Sequence, residues 1–323
     1  MPTVPPSTPQ HLLQLEGLSA AELTAFVVRA IDLREQPDPG PKNGPLAGRA
    51  MANLFFEDST RTRLSFTRAA QRLGIHVLDL YASSSSVSKG ETLLDTARNV
   101  NAMGVDAIVI RCTPSGGAAL LAEHLDCSII NAGDGKHEHP TQGLLDLMTL
   151  LEHFAEGPVP SGHELQGKRI AIVGDIDSSR VARSNIHGLT TMGANVVLVG
   201  PSQLVPETLL HLPRPSGGAS GGVEITNDLD AVLSDLDAIM MLRVQFERHE
   251  NDVIGADYPE QFGLTPARAA KLKPSAPVLH PGPVNRDFEL SAAVADDQSR
   301  SLILQQVSNG VAVRMAVLEE LLG

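Results

Sequence analysis

The sequence predicts an α/β protein of two doubly wound domains, each a mostly parallel sheet flanked by helices. Three observations carry that expectation. The chain has 323 residues, more than one hydrophobic core usually spans, so two domains of roughly 150 residues each are natural. Apolar strand-like runs alternate with helical ones along most of its length, the pattern of βαβ units. The composition is 42% hydrophobic but only 3% aromatic, with no Trp. The interior must therefore be built from Leu, Val, Ile and Ala, which suits strands buried on both faces.

After a Pro-rich start, His11 to Leu33 carries apolar residues at mixed helical spacing, and the Pro/Gly-rich stretch Pro37 to Pro45 must be loop. The first strand reads Ala50 to Phe56. Further strand-like runs are Val105 to Ile110 (VDAIVI), Ser128 to Asn131, Arg169 to Val173 (RIAIV), Asn195 to Val199 (NVVLV), Asp237 to Leu242 (DAIMML) and Pro277 to Leu279. A helix is expected over Gly143 to Phe154. The polar, Pro- and Gly-bearing segment Glu156 to Gly167 then marks a domain boundary near residues 150 to 165. Pro213 to Gly222 (PRPSGGASGG) has strand-like runs close on both sides and reads as a loop inside the second domain. The last helix, Ser308 to Leu322, places Val311, Met315, Leu318 and Leu322 on one face.

With 38 acidic against 25 basic residues the net charge is −13, which opposes general attraction to nucleic acid or anionic membrane. A small anionic substrate then requires a local cluster of positive groups. No apolar run reaches the roughly 18 residues of a membrane span, and Met1 to Gln10 lacks the plan of a leader peptide, so a cytoplasmic protein is expected. Cys112 and Cys127 form no disulfide framework and no C-x-x-C pair; buried, reduced thiols are expected.

The most informative segment runs Phe55-Phe56-Glu57-Asp58-Ser59-Thr60-Arg61-Thr62-Arg63-Leu64-Ser65-Phe66. An apolar strand ends there and a helical pattern begins, with Phe66, Ala69, Ala70 and Leu73 on one face. Ser59 or Asp58 can cap that helix. Its N-terminus offers unpaired N–H groups and about half a positive charge, edged here by hydroxyls and guanidiniums, which makes a phosphate site in chemical terms. The Gly-x4-Gly-Lys pattern of a nucleotide loop is absent. Taken alone, the run is read first as a capped helix with ordinary surface arginines. Arg111, however, ends another strand, where open α/β sheets bind ligands, and the polar loop Asn131 to Gln142 (NAGDGKHEHPTQ) follows the next one. These three loops can converge.

These residues resemble the transcarbamoylase family, in which the Ser-Thr-Arg-Thr helix start, the strand-end arginine and the His-Pro-Thr-Gln turn hold carbamoyl phosphate. Three later segments resemble the aspartate-using branch of that family: Gly174 to Asn185 (GDIDSSRVARSN), Arg243 to Arg248 (RVQFER) and His280 to Arg286 (HPGPVNR). The resemblance covers the chain from about Ala50 to the last helix. It implies a carbamoyl phosphate-binding domain at 1–154, an aspartate-binding domain at 155–305, and a C-terminal helix of about 306–323 packing back on the first domain. The implied activity is transfer of the carbamoyl group of carbamoyl phosphate to the amine of L-aspartate, the committed step of de novo pyrimidine biosynthesis, with no cofactor and no metal. A homotrimer with shared active sites is implied too, with dihydroorotase or regulatory subunits as further partners that the sequence does not decide.

Carried over residue by residue, Ser59, Thr60, Arg61, Thr62 and Arg111 hold the phosphate, while His139 and Gln142 address the carbamoyl end. Ser83 to Glu91 resembles the family's mobile loop, whose Ser85 and Lys89 reach a neighbouring subunit. Arg180 and Arg243 bind the aspartate carboxylates, which planar bidentate guanidiniums suit, Gln245 adds a polar contact, and Lys89 also serves this substrate. Backbone carbonyls of the Pro281-Gly282 turn receive the incoming amine. The ornithine-using branch has His-Cys-Leu-Pro near this place, which favours aspartate here; another amine acceptor such as ornithine, or a non-catalytic scaffold, are the alternatives. The implied chemistry is direct attack of the neutral amine, with Thr62, Arg111 and His139 as donors around the developing oxyanion and the leaving phosphate taking the amine proton.

Two other readings are set aside. Gly174-Asp175 after a strand lacks the G-x-G-x-x-G of a dinucleotide site. His137 and His139, with Asp134 or Glu138, lack a well-placed further metal ligand. Three positions depart from the family pattern: Asp58 where proline is usual, Ser178 where histidine is usual, and Asp287 in place of glycine, tolerable where the backbone is not strongly left-handed.

Overall fold

The computed structural model describes residues 11–40, 42–81, 90–213, 221–248, 255 and 257–323. The chain divides into two compact units. The first comprises the chain up to Gln14, Ala25–Leu144 and Asn309–Gly323; the second comprises Leu15–Thr24 and Leu145–Ser308.

The first unit is built on a five-stranded parallel sheet of β1 (His11–Leu12), β2 (Ala50–Phe55), β3 (His76–Tyr81), β4 (Ala107–Cys112) and β5 (Ser128–Asp134), in the order β1-β5-β4-β2-β3. Its chain segments also form α1 (Ala20–Glu35, from Ala25 onward), α2 (Thr60–Leu73), α3 (Leu93–Asn101), α4 (Gly117–Ala122) and the start of α5 (Pro140–Phe154). The second sheet, also parallel and five-stranded, holds β6 (Arg169–Val173), β7 (Asn195–Val199), β8 (Val223–Thr226), β9 (Ala238–Met241) and β10 (Val278–Leu279), in the order β10-β9-β6-β7-β8. It is accompanied by α6 (Arg180–Thr191) and the short helices α7 (Tyr258–Phe262), α8 (Pro266–Ala269) and α9 (Ala292–Ala295). Finally α10 (Ile303–Leu322) begins in the second unit and ends in the first. None of the described helices is long and apolar enough to cross a membrane.

Fully buried β-branched and aliphatic runs explain the parallel sheets. Leu54, Ile108, Ile110 and Ile129 are all 0% exposed in one core, and Val173, Val197, Ile239 and Val278 are 0% exposed in the other. Each such side chain contributes about 1.5–3 kcal/mol by leaving water. The apolar face read for α2 is the buried one: Phe66, Ala69, Ala70 and Leu73. That helix stops at Gly74, whose φ of 82° closes a left-handed C-cap. The last helix packs in the first unit, where the Arg314 guanidinium lies 5.0 Å from the Phe66 ring centre and Arg29 pairs with Glu319.

One local expectation is corrected. His11 and Leu12 extend the edge of the first sheet instead of joining a helix, and α1 starts only at Ala20. The cause is a reciprocal cap: the Ser19 N–H donates to Glu22 Oε2 at 2.8 Å and the Glu22 N–H to Ser19 Oγ at 3.3 Å. Strands β3 and β8 lie at sheet edges, where part-exposed, mixed sequences hide the strand signal. The compact units divide inside α5, between Leu144 and Leu145, ahead of the polar segment.

Candidate active site

In the first unit the strand order reverses between β2 and β4, which places a crevice outside their carboxyl ends. The Phe56 N–H donates to the Arg111 carbonyl at 2.8 Å, which locks the loop leaving β2 to the end of β4. Ser59 stands at the N-cap of α2 with extended backbone (φ −159°), but its side chain makes no capping bond, contrary to expectation. The first-turn amides of α2 are therefore not taken up by that hydroxyl. Thr60 and Arg61 are exposed, Ser59 is half-buried, and Thr62 is buried.

Thr62 Oγ1 faces His139 Nε2 at 3.4 Å, with both residues nearly enclosed. His139 directly precedes Pro140, the first residue of α5, a place where proline's missing N–H costs nothing. The His139 carbonyl accepts the Gln142 and Gly143 amides at 2.9 and 3.1 Å, and Gln142 is buried as well. Arg111 Nη1 donates to the Ala132 carbonyl at 3.3 Å, and its Nε lies 3.6 Å from Glu57 Oε2. Glu57 was quoted in the motif but given no role; an acid adjoining the strand-end arginine is not readable from a linear sequence.

The loop that presents His139 is organised by Asp134, which is 1% exposed. Its carboxylate accepts from Asn131 Nδ2 and the Gly116 amide, at 2.8 and 2.7 Å, from the Glu138 amide at 3.3 Å, and faces His137 Nδ1 at 3.1 Å. Burial alone pushes this carboxyl upward, but the bonds from His137 and Asn131, the His137 charge and the Gly116 amide hold it below the ordinary carboxylate value. His137 is thereby engaged as a hydrogen-bonding partner of Asp134. Gly133 and Gly135 turn the chain with φ of 114° and 49°. Cys127, by contrast, is pushed up to about 11 by burial and stays a thiol.

In the second unit the order reverses between β6 and β9. Asp175, fully buried after β6, accepts the Ser178 amide at 3.4 Å and the Gln245 amide at 3.3 Å, tying the two strand ends together. Ser179 caps α6 by accepting the Ala182 amide at 3.1 Å. Arg180 is the first residue of that helix and is 7% exposed. Arg243, half-buried, follows β9. The Gln245 side chain donates to the Ser178 carbonyl at 3.1 Å, and Arg248 Nη1 donates to the same oxygen at 2.9 Å. Arg248 is thus a structural partner of this loop that the motif contained and the role assignment passed over. Ser178 itself is fully buried. Tyr258, 2% exposed, is held well above the ordinary phenol range by burial first and then by the Glu289 and Asp175 carboxylates, which keeps it neutral.

Pro281 and Gly282 form the turn after β10, half-buried, with Gly282 at φ 68°. Asp287 has a left-handed backbone, φ 62°, the one left-handed non-glycine among the described residues, and its Oδ1 accepts the Ala292 amide at 2.9 Å. Ser85 and Lys89 lie outside the described residues.

Two parallel sheets with arginines and helix starts at their order reversals define an α/β protein that presents positive groups at its strand ends. The comparisons narrow the class. Residues 10–152 match the aspartate/ornithine carbamoyltransferase carbamoyl-P binding domain, and residues 166–321 match the aspartate/ornithine carbamoyltransferase Asp/Orn binding domain. The chain is 50% identical over 313 residues to the aspartate carbamoyltransferase catalytic subunit of Myxococcus xanthus, covering 96% of this chain and 98% of that one. It is 48% identical to that of Rhodospirillum rubrum, covering 99% and 96%. Among solved structures, aspartate transcarbamoylase of Trypanosoma cruzi in complex with N-(phosphonacetyl)-L-aspartic acid has a TM-score of 0.83 at 28% identity, covering 99% and 98%. Ornithine carbamoyltransferase of Gloeobacter violaceus has a TM-score of 0.79 at 27% identity, covering 98% and 100%. This chain belongs to the aspartate/ornithine carbamoyltransferase family.

Proposed function

We propose that the chain transfers the carbamoyl group of carbamoyl phosphate to the amine of L-aspartate, giving N-carbamoyl-L-aspartate and phosphate, the committed step of de novo pyrimidine biosynthesis. The observation that carries the reading is the buried Thr62–His139 pair, 3.4 Å apart at the starts of α2 and α5. Ser59, Thr60, Arg61 and Thr62 receive the phosphate at the α2 N-terminus, and Arg111 adds a guanidinium. Thr62, Arg111 and His139 donate to the oxyanion that develops on the carbamoyl oxygen as the amine adds to the carbon, the step where preorganised donors act most strongly. Gln142 addresses the carbamoyl amide.

Arg180 and Arg243 take the two aspartate carboxylates and Gln245 assists them. Carbonyls of the Pro281-Gly282 turn accept from the attacking amine. The leaving phosphate takes the amine proton; a pH profile and solvent isotope effect that track a protein group would count against this step. Domain roles follow the same division, with 1–154 serving carbamoyl phosphate, 155–305 serving aspartate, and the helix of about 306–323 serving the first.

Ser85 and Lys89 serve the site of a neighbouring subunit, Lys89 toward aspartate as well, so the active form is a cytoplasmic homotrimer. Subunits carrying Lys89→Ala mixed with subunits carrying Arg61→Ala should regain activity; no recovery in verified mixed trimers would sink the shared site. Dihydroorotase or regulatory subunits are the partners to seek by co-purification.

Phosphate release from carbamoyl phosphate, measured with aspartate, ornithine or no acceptor, tests the function. Release coupled to carbamoyl aspartate supports it. Release only with ornithine would overturn the roles of Arg180, Arg243 and Gln245, and inactivity with every acceptor would point to a scaffold.

A further inference from the structure

The turn after β10 is stapled by two buried side chains, His280 and Glu289, which are 1% and 0% exposed. His280 Nδ1 lies 2.8 Å from the Gly282 amide nitrogen. An amide N–H can only donate, so Nδ1 carries a lone pair. His280 Nε2 lies 3.2 Å from Glu289 Oε1, where the N–H of that neutral tautomer donates. The same Oε1 accepts the Asn285 amide at 2.6 Å. Behind the ring, the His280 N–H donates to Gln306 Oε1 at 2.9 Å, and Gln306 Nε2 donates to Asp146 Oδ1 at 2.7 Å. Asp146 also accepts from Asn185 Nδ2 at 2.7 Å, and all of these side chains are buried.

We infer that His280 is a positioning residue: a neutral imidazole, protonated at Nε2 only, that fixes Gly282 through Nδ1 and fixes Asn285 through Glu289. The inference rests on the reading in which carbonyls of the Pro281-Gly282 turn receive the aspartate amine. Gly282 has a left-handed backbone, φ 68°, and glycine reaches many other conformations at little cost. Something outside the glycine must therefore select this one, and the buried acceptor at Nδ1 does so. A ring protonated on both nitrogens cannot accept the Gly282 amide. His280 consequently holds the turn and does not carry the reaction's proton.

Two substitutions separate this role from simple packing. Asn places its side-chain oxygen near the position of Nδ1, whereas Gln reaches toward Nε2 and fills the imidazole's volume better. The staple predicts that His280→Asn keeps kcat within about tenfold of the native chain, while His280→Gln loses about a hundredfold, the scale of an ångström misplacement. Carbamoyl phosphate affinity stays unchanged in both. A packing role reverses the order, and Gln at or above Asn, or both at the native rate, overturns the inference. Should neither variant fold, the nitrogen-15 spectrum of the histidine-labelled native chain decides: a bare Nδ1 with a protonated Nε2 on His280 supports the staple, and any other protonation state refutes it. A native chain that forms no carbamoyl aspartate removes the underlying reading, whereas an active native chain with Gln at or above Asn removes this inference alone.

Discussion

Replacing Asp134 by Asn should destabilise the chain by about 2–4 kcal/mol, although the two side chains are nearly the same shape. The Asp134 carboxylate offers only acceptors, and three groups beside His137 can only donate to it: Asn131 Nδ2 and the Glu138 amide on one oxygen, and the Gly116 amide on the other. Asparagine turns one of those oxygens into a donor. Whichever way the amide is placed, at least one buried N–H then meets another N–H and goes unsatisfied, at about 1–3 kcal/mol, and a charge-assisted bond is weakened to a neutral one. That is a large share of a total stability of order 5–15 kcal/mol. Urea unfolding followed by far-ultraviolet circular dichroism reads it, with protein concentration held equal because assembly shifts apparent stability. The sign with pH follows from the depressed carboxyl. Its contribution is present above the ordinary carboxylate value of about 3.9 and is lost as pH falls through the lower folded value, so the native-minus-variant difference should shrink in acid. A difference below about 0.5 kcal/mol at neutral pH would refute the account of this loop.

Other substitutions test neighbouring steps. Gly135→Ala places a Cβ 2.4 Å from Ser115 Oγ and 2.7 Å from both the Ser115 nitrogen and the Thr113 carbonyl, at φ 49°; backbone crowding and the left-handed conformation together should lower the melting temperature by several degrees, and an unchanged melt would contradict the geometry. Arg180→Lys and Arg243→Lys should each raise the aspartate KM about tenfold or more by losing a bidentate contact, with the carbamoyl phosphate KM unmoved; equal shifts in both constants would argue against separate substrate roles. Asp58 is exposed immediately before the Ser59 N-cap, so Asp58→Asn should tighten carbamoyl phosphate binding about twofold to fivefold at low ionic strength, by easing repulsion at the helix start. Titration at low and high salt checks this, and a gain that persists undiminished at high salt would exclude an electrostatic cause.

The sequence reveals most where one physical signal dominates. Strands β4, β5, β6, β7 and β9 are central or flanked, so their apolar runs stand out, whereas the edge strands β3 and β8 mix polar with apolar residues. The Ser19–Glu22 cap is an S-x-x-E pattern in the sequence, and that pattern marks the start of α1 at Ala20. Thr62, Arg111 and His139 stand out in the sequence because short motifs hold them, each beside a strand end or a helix start. Asp134 and Glu289 do not, since their importance lies in how several donors converge on one carboxylate, and only the folded turns bring those donors together. Arg248 was missed for a related reason: its guanidinium reaches the Ser178 carbonyl across 70 residues of sequence.

A chain of net charge −13 holding two acidic substrates is consistent because the attraction is built at short range. Each sheet reverses its strand order beside its first long strand, β2 or β6, so the loops leaving the two central strands diverge at their carboxyl ends. Helices α2 and α6 begin at those ends and turn about half a positive charge toward them. Arg111 and Arg243 come from the neighbouring strand in each case, β4 or β9. Acids elsewhere on the surface act through solvent that screens them over about 8 Å at physiological salt, while a group enclosed as Arg180 is at the start of α6 is screened far less. Overall charge therefore governs encounter, and local donors govern retention. Added salt should consequently affect the rate of association more than the occupancy of Arg180, which is 7% exposed and sits at the first residue of its helix.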